Sequence, residues 1–178
     1  CIQEYDSILE RFPDIPFSNL WIANQLHRVI PKKSRIQLGI LNSLRAWNLF
    51  RLDDSIRIYS NVGGFGIDGG MSSLIGASLC DKNKLYFGIF GDLQFFYDMN
   101  VIGNRHIGSN VRILLINNGR GIEFRNYHHP ATIFGAATDL YIAAAGHYGN
   151  KSSKLIKHYA EDLGFEYISA SSKDEFFN

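Results

Sequence analysis

The sequence predicts an α/β fold with three layers, αβα, around a mostly parallel central sheet of five or more strands. Three observations carry that prediction. Two apolar runs, Leu85 to Phe90 and Val111 to Ile116, have the length and composition of buried parallel strands. Between them, Leu93 to Ile107 is apolar on nearly every face (Leu93, Phe95, Phe96, Tyr97, Met99, Val101, Ile102), which describes a helix covered on all sides. Strand, buried helix and strand make one βαβ unit, and the segments before and after it alternate in the same way.

What stands at the tips of that unit points to a site. Gly91-Asp92-Leu93 follows the first run directly, and Asn117-Asn118 follows the second. In an open α/β sheet, ligands bind outside the carboxyl ends of the strands, so an acid and an amide pair at successive tips mark where to look. A carboxylate and an amide carbonyl are hard oxygen donors suited to Mg²⁺ or Ca²⁺. Mg²⁺ takes few protein ligands and completes its octahedron with phosphate and water, so the pair predicts a metal-bound diphosphate. Taken singly, each motif reads equally well as a helix cap or a turn. Their separation across one βαβ unit is what favours a site.

In chain order, residues 1–16, with Pro13 and Pro16, read as a linker or the end of an interdomain connection, and residues 17–178 as the domain. Ser18 caps a helix whose stripe includes Leu20, Trp21, Leu26, His27 and Ile30, and Pro31 ends it; His27 reads as a packing residue rather than a ligand. Arg35 to Leu41 is a strand with Asn42-Ser43 at its tip, followed by a helix from Leu44 to Leu52. Asn42 and Ser43 read as a helix cap, or as a place where backbone N–H groups meet an anion.

Ser55 to Tyr59 is the next strand, opening into a glycine-rich loop from Ser60 to Gly70. Gly64, Gly66 and Gly69 match the dinucleotide-binding fingerprint, with Asp92 as the acid further on. Against a nicotinamide site, residues 60–63 intervene where the fingerprint needs its tight turn at once, and Asn117-Asn118 is left without a use. The helix that follows has Met71, Leu74, Ile75, Ser78 and Leu79 on one side, and these aliphatic residues read as core.

Beyond Asn118, Arg125 to Pro130 is polar and aromatic, with His128 and His129 adjacent. Adjacent imidazoles diverge and no Cys or carboxylate sits at a metal-like spacing, so a mobile substrate-side loop is expected there rather than a zinc site. A Tyr/Ala/Gly-rich run from Asp139 to Gly149, a capped helix from Lys151 to Leu163 closed by Gly164, and a strand from Phe165 to Ser169 complete the pattern.

At 178 residues and 46% hydrophobic, the chain can bury the core of one domain. A formal charge of +1 offers no electrostatic case for nucleic acid or membrane, and Lys32-Lys33-Ser34-Arg35 is the only basic cluster. No apolar run nears the roughly 18 residues of a membrane span. No signal peptide is visible, and a cytoplasmic location is expected. Cys1 and Cys80 make no disulfide framework, and Cys80 reads as a core thiol. The chain does not begin with Met and its last residues read as a helix just beginning, so a fragment of a longer polypeptide is expected, with a last helix and strand to follow.

Taken together, Tyr59-Ser60-Asn61, Gly66-Ile67-Asp68-Gly69, Gly91-Asp92-Leu93, Tyr97-Asp98-Met99-Asn100 and Asn117-Asn118 resemble the diphosphate-binding domain of thiamine diphosphate-dependent enzymes. The likeness covers residues 36–125 well. Within the family it is nearest to the menaquinone-pathway carboligases, then to the acetolactate synthases. The resemblance implies the thiamine diphosphate-binding fold, with Mg²⁺ held by Asp92, Asn118 and the backbone carbonyl of Arg120. It implies Asn42 and Ser43 at the cofactor's diphosphate, Ile67 as the apolar wedge under the thiazolium, and the Phe65 carbonyl and Ile67 N–H on the aminopyrimidine. Asp68, Gly91, Leu93, Gln94 and Ile122 are implied as further cofactor neighbours. Arg120 departs from the family's usual small residue, and its side chain is left either to reach a phosphate or to face solvent.

In such enzymes the activating glutamate comes from a separate pyrimidine-binding domain, usually of another subunit. The resemblance therefore implies no catalytic residue here, an isolated domain that is inactive, and a homodimer or homotetramer acting on a small 2-oxo acid. An aromatic content of 13% is compatible with a subunit interface. The menaquinone-pathway carboligases carry arginines for substrate carboxylates at the places of Trp47 and Val62, which implies a substrate that is less anionic or is recognised elsewhere. A non-catalytic module of the same fold, assembling with a partner and lacking the cofactor, is the other open reading. Intact Asp92 and Asn118 speak against it.

Overall fold

A computed structural model describes residues 4–5, 7–8, 11–64, 66–146 and 152–178. Among these, four strands form one wholly parallel sheet in the order β2-β1-β3-β4: β1 Arg35–Leu38, β2 Arg57–Ser60, β3 Tyr86–Gly91 and β4 Val111–Ile116. From β1 the chain steps outward to β2, then crosses back over β1 to β3 and continues to β4. The direction of winding therefore reverses between β1 and β3, the switch point where doubly wound sheets open a crevice. The ladder of β1 with β3 ends at Leu38 opposite Ile89, whereas β3 and β4 stay paired as far as Gly91 opposite Ile116.

The expected strand Phe165–Ser169 has no place in this four-stranded sheet. Phe165 and Tyr167 pack half-buried on the core while Ile168 is 82% exposed, so the run is anchored by two rings rather than by a backbone ladder.

Helices α1 (Asn19–Leu26) and α2 (Asn42–Trp47) cover one face, and α3 (Gly70–Cys80) and α4 (Asp92–Asp98) the other. Strand β3 serves both layers through its two-residue period. Tyr86 and Phe90 join Met71, Leu74 and Ile75 of α3 on one side, while Phe87 and Ile89 meet Ala46 and Trp47 of α2 on the other. Full burial of such side chains stabilises by about 1.5–3 kcal/mol each. At Gly88 a Cβ would stand 2.5 Å from Leu74 Cδ2 and 2.3 Å from the Phe90 ring, so the missing side chain is what lets α3 lie against β3.

Several elements differ in detail from their sequence pattern. Ser18 caps α1 as expected, its Oγ accepting the Trp21 N–H at 3.2 Å. His27 follows the last turn, buried and stacked on Phe50 with ring centroids 4.9 Å apart. Burial pushes its pKa down, partly offset by the Asn24 and Ala23 carbonyls beside Nδ1. Helix α2 begins at Asn42, earlier than expected. Its N-cap is Leu41 at φ +66°, and neither Asn42 nor Ser43 makes a capping side-chain bond. The helix expected over Leu93–Ile107 is α4 followed by a 3₁₀ turn, Met99–Gly103, and Tyr97 is 68% exposed rather than covered.

Cys80 is not a core thiol: it is the last residue of α3 and exposed. Within the segment expected to be a linker, the Tyr5 hydroxyl donates to the Leu49 carbonyl and Phe12 packs edge-on against Phe50 at 5.8 Å, which ties that stretch to the domain. The C-terminal part holds α5 (Ala137–Tyr141), α6 (Leu155–Asp162) and α7 (Lys173–Phe177). The N-cap of α6, Lys154, makes no capping side-chain bond, and Gly164 at φ +83° follows its last turn. Lys151 and residues 147–149 lie outside the described residues. Among the described residues, no helix is long and apolar enough to cross a membrane.

Candidate cofactor site

Parallel pairing puts all four strand tips on one edge of the sheet. Asp92, the first residue of α4, is 2% exposed. Its Oδ1 accepts the adjacent Leu93 N–H at 2.9 Å, but the N-cap of α4 is Gly91 and no side chain caps the helix, so the helix-cap reading of Asp92 is not realised. Its Oδ2 accepts the Gly119 N–H at 2.6 Å, the second bond held by the same carboxylate. The β4 tip is thereby turned toward the β3 tip, with Gly119 at φ +77°, a conformation glycine adopts without a steric penalty. Asn117 and Asn118, the two residues before it, are exposed beside the buried acid. The Asn118 Oδ1 lies 3.4 Å from the Arg120 N–H.

Gln94, two residues along α4, is 5% exposed, and its Nε2 is buried without a hydrogen-bond partner. The amide is wedged between Gly39 at the end of β1 and Gly70 at the start of α3. A Cβ at Gly39 would come within 2.2 Å of Gln94 Oε1, and one at Gly70 within 2.4 Å of Nε2. An unpaired buried donor costs about 1–3 kcal/mol, and at the switch point of the sheet it marks where a ligand acceptor belongs. One buried carboxylate, an exposed amide pair and a waiting N–H donor suit a metal-bound phosphoester, so the residues present fit Mg²⁺ and a diphosphate.

The loop after β2 is stitched down by Asn61. Its Nδ2 donates to the Gly69 carbonyl at 3.2 Å and to Ser73 Oγ at 2.9 Å, and its Oδ1 accepts from Gln37 Nε2 at 3.0 Å. Ile67 is half-buried in that loop, Asp68 is exposed, and Phe65 lies outside the described residues. Residues 61–69 separate β2 from α3, too long a passage for the tight dinucleotide turn. Asp98 secures the far side, its carboxylate accepting the Ser72 N–H and Oγ–H, both at 2.7 Å.

The remaining expected residues divide. Asn42, Asn117, Asn118 and Ile122 line one continuous cleft. Gly91 and Leu93 are half-buried beside Asp92. Ser43 is buried instead, its Oγ accepting from Asn19 Nδ2 of α1 at 3.4 Å. The Arg120 side chain is 38% exposed and engaged by an acid of this chain. Its Nη1 donates to Asp139 of α5 at 2.5 Å, and Arg125 Nε stands 3.2 Å from the other oxygen of that carboxylate. Trp47 is 1% exposed in the core under α2. Val62 is exposed.

No local signal marked Gln37 or the pair Arg45–Glu123, and Asp98 stood in a motif without its partner Ser72; all act through partners distant in the chain. Arg45 of α2 meets Glu123 of the 3₁₀ turn Ile122–Arg125 through both guanidinium nitrogens, with Nη2 donating to Oε1 at 3.2 Å and Nη1 to Oε2. That carboxylate raises the Arg45 pKa above its ordinary value.

Fold and tips together define a three-layer αβα cofactor-binding domain. No protein-family model matches the chain. Among curated proteins it is 36% identical over 155 residues to the 2-succinyl-5-enolpyruvyl-6-hydroxy-3-cyclohexene-1-carboxylate synthase of Bacteroides fragilis, covering 87% of this chain and 26% of the relative. It is 41% identical over 112 residues to the synthase of the same name from Christiangramia forsetii, covering 63% of this chain and 19% of the relative. Among solved structures, the thiamine diphosphate-dependent 4-hydroxybenzoylformate decarboxylase of Rhodococcus jostii RHA1 superposes with a TM-score of 0.66 at 16% identity, over 92% of this chain and 29% of that one. The chain is a homologue of thiamine diphosphate-dependent enzymes and has their αβα fold. It spans about a quarter or less of the length of the two synthases.

Proposed function

We propose that the chain is the diphosphate-binding domain of a thiamine diphosphate-dependent C–C lyase or carboligase acting on 2-oxo acids. The observation that supports this most is the bond from the Gly119 N–H to Asp92 Oδ2, because it draws the acid and the Asn117-Asn118 turn together on neighbouring tips. Mg²⁺ would be held by the Asp92 carboxylate, the Asn118 side-chain carbonyl and the Arg120 backbone carbonyl, with phosphate and water completing the octahedron. When bound, the cofactor supplies the electron sink for decarboxylation and C–C bond formation.

The residues of this chain bind and orient. Gln94 Nε2 would donate to a diphosphate oxygen, Asn42 and the backbone of Ser43 would flank the same group, and Ile67 would support the thiazolium. The proton-moving glutamate belongs to a pyrimidine-binding domain of another subunit, so the domain alone is inactive and the working enzyme is a cytoplasmic homodimer or homotetramer.

Calorimetry of the full-length protein with thiamine diphosphate and Mg²⁺ tests the reading. Micromolar or tighter binding that requires Mg²⁺ and is lost in Asp92→Ala is expected. Absence of binding, or binding indifferent to that substitution, favours a non-catalytic module of the same fold.

A further inference from the structure

Arg120 stands between two glycines in the turn that follows β4, with Gly119 at φ +77° and Gly121 at φ −76°. Glycines on both sides give a backbone its widest conformational choice, so something outside the turn must fix the peptide that joins Arg120 to Gly121. Helix α5 and the residues just after it supply two holds. The Gly121 N–H donates to the Ala143 carbonyl at 2.7 Å. A trans peptide is planar with its N–H and C=O opposed, so that bond aims the Arg120 carbonyl away from Ala143. The second hold is the side chain, Arg120 Nη1 donating to Asp139 Oδ2 at 2.5 Å. Both holds belong to one unit. Ala143 is buried and its N–H donates to the Thr138 carbonyl at 2.7 Å, while the Asp139 carbonyl accepts the Ala145 N–H at 2.9 Å. Arg125 Nε, 3.2 Å from Asp139 Oδ1, steadies the carboxylate by its other oxygen.

From this arrangement we infer that Asp139 is a positioning residue for the metal: through the Arg120 guanidinium it seats α5 against the turn, and so fixes the direction of the backbone carbonyl in the ligand set. The inference rests on the Mg²⁺ reading above. It adds a residue 19 positions further along the chain that holds neither metal nor cofactor directly. A side-chain ligand is aimed by its own rotamer, whereas a carbonyl is aimed only by what holds its peptide. Mg²⁺ demands near-octahedral geometry at about 2.0–2.1 Å, while Ca²⁺ accepts about 6–8 oxygens in flexible arrangements at about 2.3–2.6 Å. Misdirecting one carbonyl therefore penalises Mg²⁺ far more than Ca²⁺. Loss of a negative charge, by contrast, weakens both dications alike. The departure of Arg120 from the family's usual small residue thus has a use, because its side chain is the tether.

The test uses the full-length protein with excess thiamine diphosphate, titrated calorimetrically with Mg²⁺ and separately with Ca²⁺. Asp139→Asn, which keeps the shape and removes the ion pair, raises the Mg²⁺ Kd ~10-fold or more, the usual cost of releasing a metal ligand from the group that orients it. It raises the Ca²⁺ Kd only ~2-fold or less. Arg120→Ala cuts the same tether from the other end and leaves Asp139 its contact with Arg125, so it carries the test should Asp139→Asn fail to fold. It shifts the ratio of the two Kd values in the same direction, and adding Asp139→Asn to it changes the Mg²⁺ Kd by less than ~2-fold. A merely structural or electrostatic role moves both cations together. Equal weakening of both, an unchanged Mg²⁺ Kd in either single variant, or multiplicative losses in the double variant would overturn the inference. A wild type that binds neither cation beside thiamine diphosphate would instead remove the reading on which it rests.

Discussion

Substituting Gly88 by Ala tests how closely the two carriers of the site are packed. The added methyl would lie 2.3 and 3.0 Å from Phe90 Cε2 and Cζ and 2.5 Å from Leu74 Cδ2. Ordinary carbon contacts begin near ~3.5 Å, so two neighbours are too close by about 1 Å. Phe90 and Leu74 are 0% and 2% exposed, and neither can swing into solvent. Overpacking of this kind costs about 1–3 kcal/mol. Replacing a glycine inside a strand returns about 0.5–1 kcal/mol of backbone entropy. The net loss is about 1–2 kcal/mol, which for a chain of this size lowers Tm by about 2–8 °C.

Urea unfolding followed by circular dichroism measures the change. A second variant sharpens it: Leu74→Ala alone costs about 2–5 kcal/mol, but in the Gly88→Ala background the new methyl occupies part of the space released. The double variant should therefore be more stable than the sum of the singles by at least about 0.5 kcal/mol. Strict additivity, or a Gly88→Ala protein as stable as the parent, would refute the claim that α3 is fitted to β3 at this point. Because α3 begins at Gly70 against Gln94, the same substitution should also weaken cofactor binding.

Two further outcomes follow from the contacts. Removing the Asp98 carboxylate (Asp98→Ala) takes away the cap on the first turn of α3, with an expected loss of about 0.5–2 kcal/mol in chemical denaturation. The Asp53 carboxylate is held down to about 2 by hydrogen bonds from the Ser55 hydroxyl and N–H and by Lys32. A depressed folded pKa contributes stability that is complete above the ordinary carboxylate value of 3.8 and is lost as pH falls from there toward about 2. Asp53→Asn should flatten the stability profile in that window by lowering stability on the plateau above pH 3.8, pH 7 included, while leaving it unchanged below about pH 2; an unaltered acid limb would contradict the assignment.

The tip motifs were legible because each sits directly after an unmistakable apolar run: Asp92 after Leu85 to Phe90, Asn117 after Val111 to Ile116. Local pattern was enough to place both at strand ends, and parallel pairing then brings them together. The Ser18 cap was legible for the same reason. Features that depend on distant partners were not. Arg45 and Glu123, 78 residues apart, carry no local signal of their pairing, and the same holds for Arg120 with Asp139. Cys80 failed because its position at the end of an apolar helix suggested burial, whereas the last turn of α3 buries Ser78 and leaves Cys80 on its exposed side. Phe165 to Ser169 alternates as a strand should, but alternation specifies which side chains face inward and does not supply a ladder partner.

The unequal ladder lengths at the sheet edge shape the room a ligand finds there. Since β1 stops pairing opposite Ile89 while β3 and β4 run on to Gly91 and Ile116, the edge is a stair, with a tread over β1 and a riser formed by β3. Two residues of strand set the riser at roughly 6–7 Å, about the depth of a single phosphoryl group. Lengthening β1 by two further pairs would level that stair and leave Asp92 and Gln94 facing polypeptide instead of a guest.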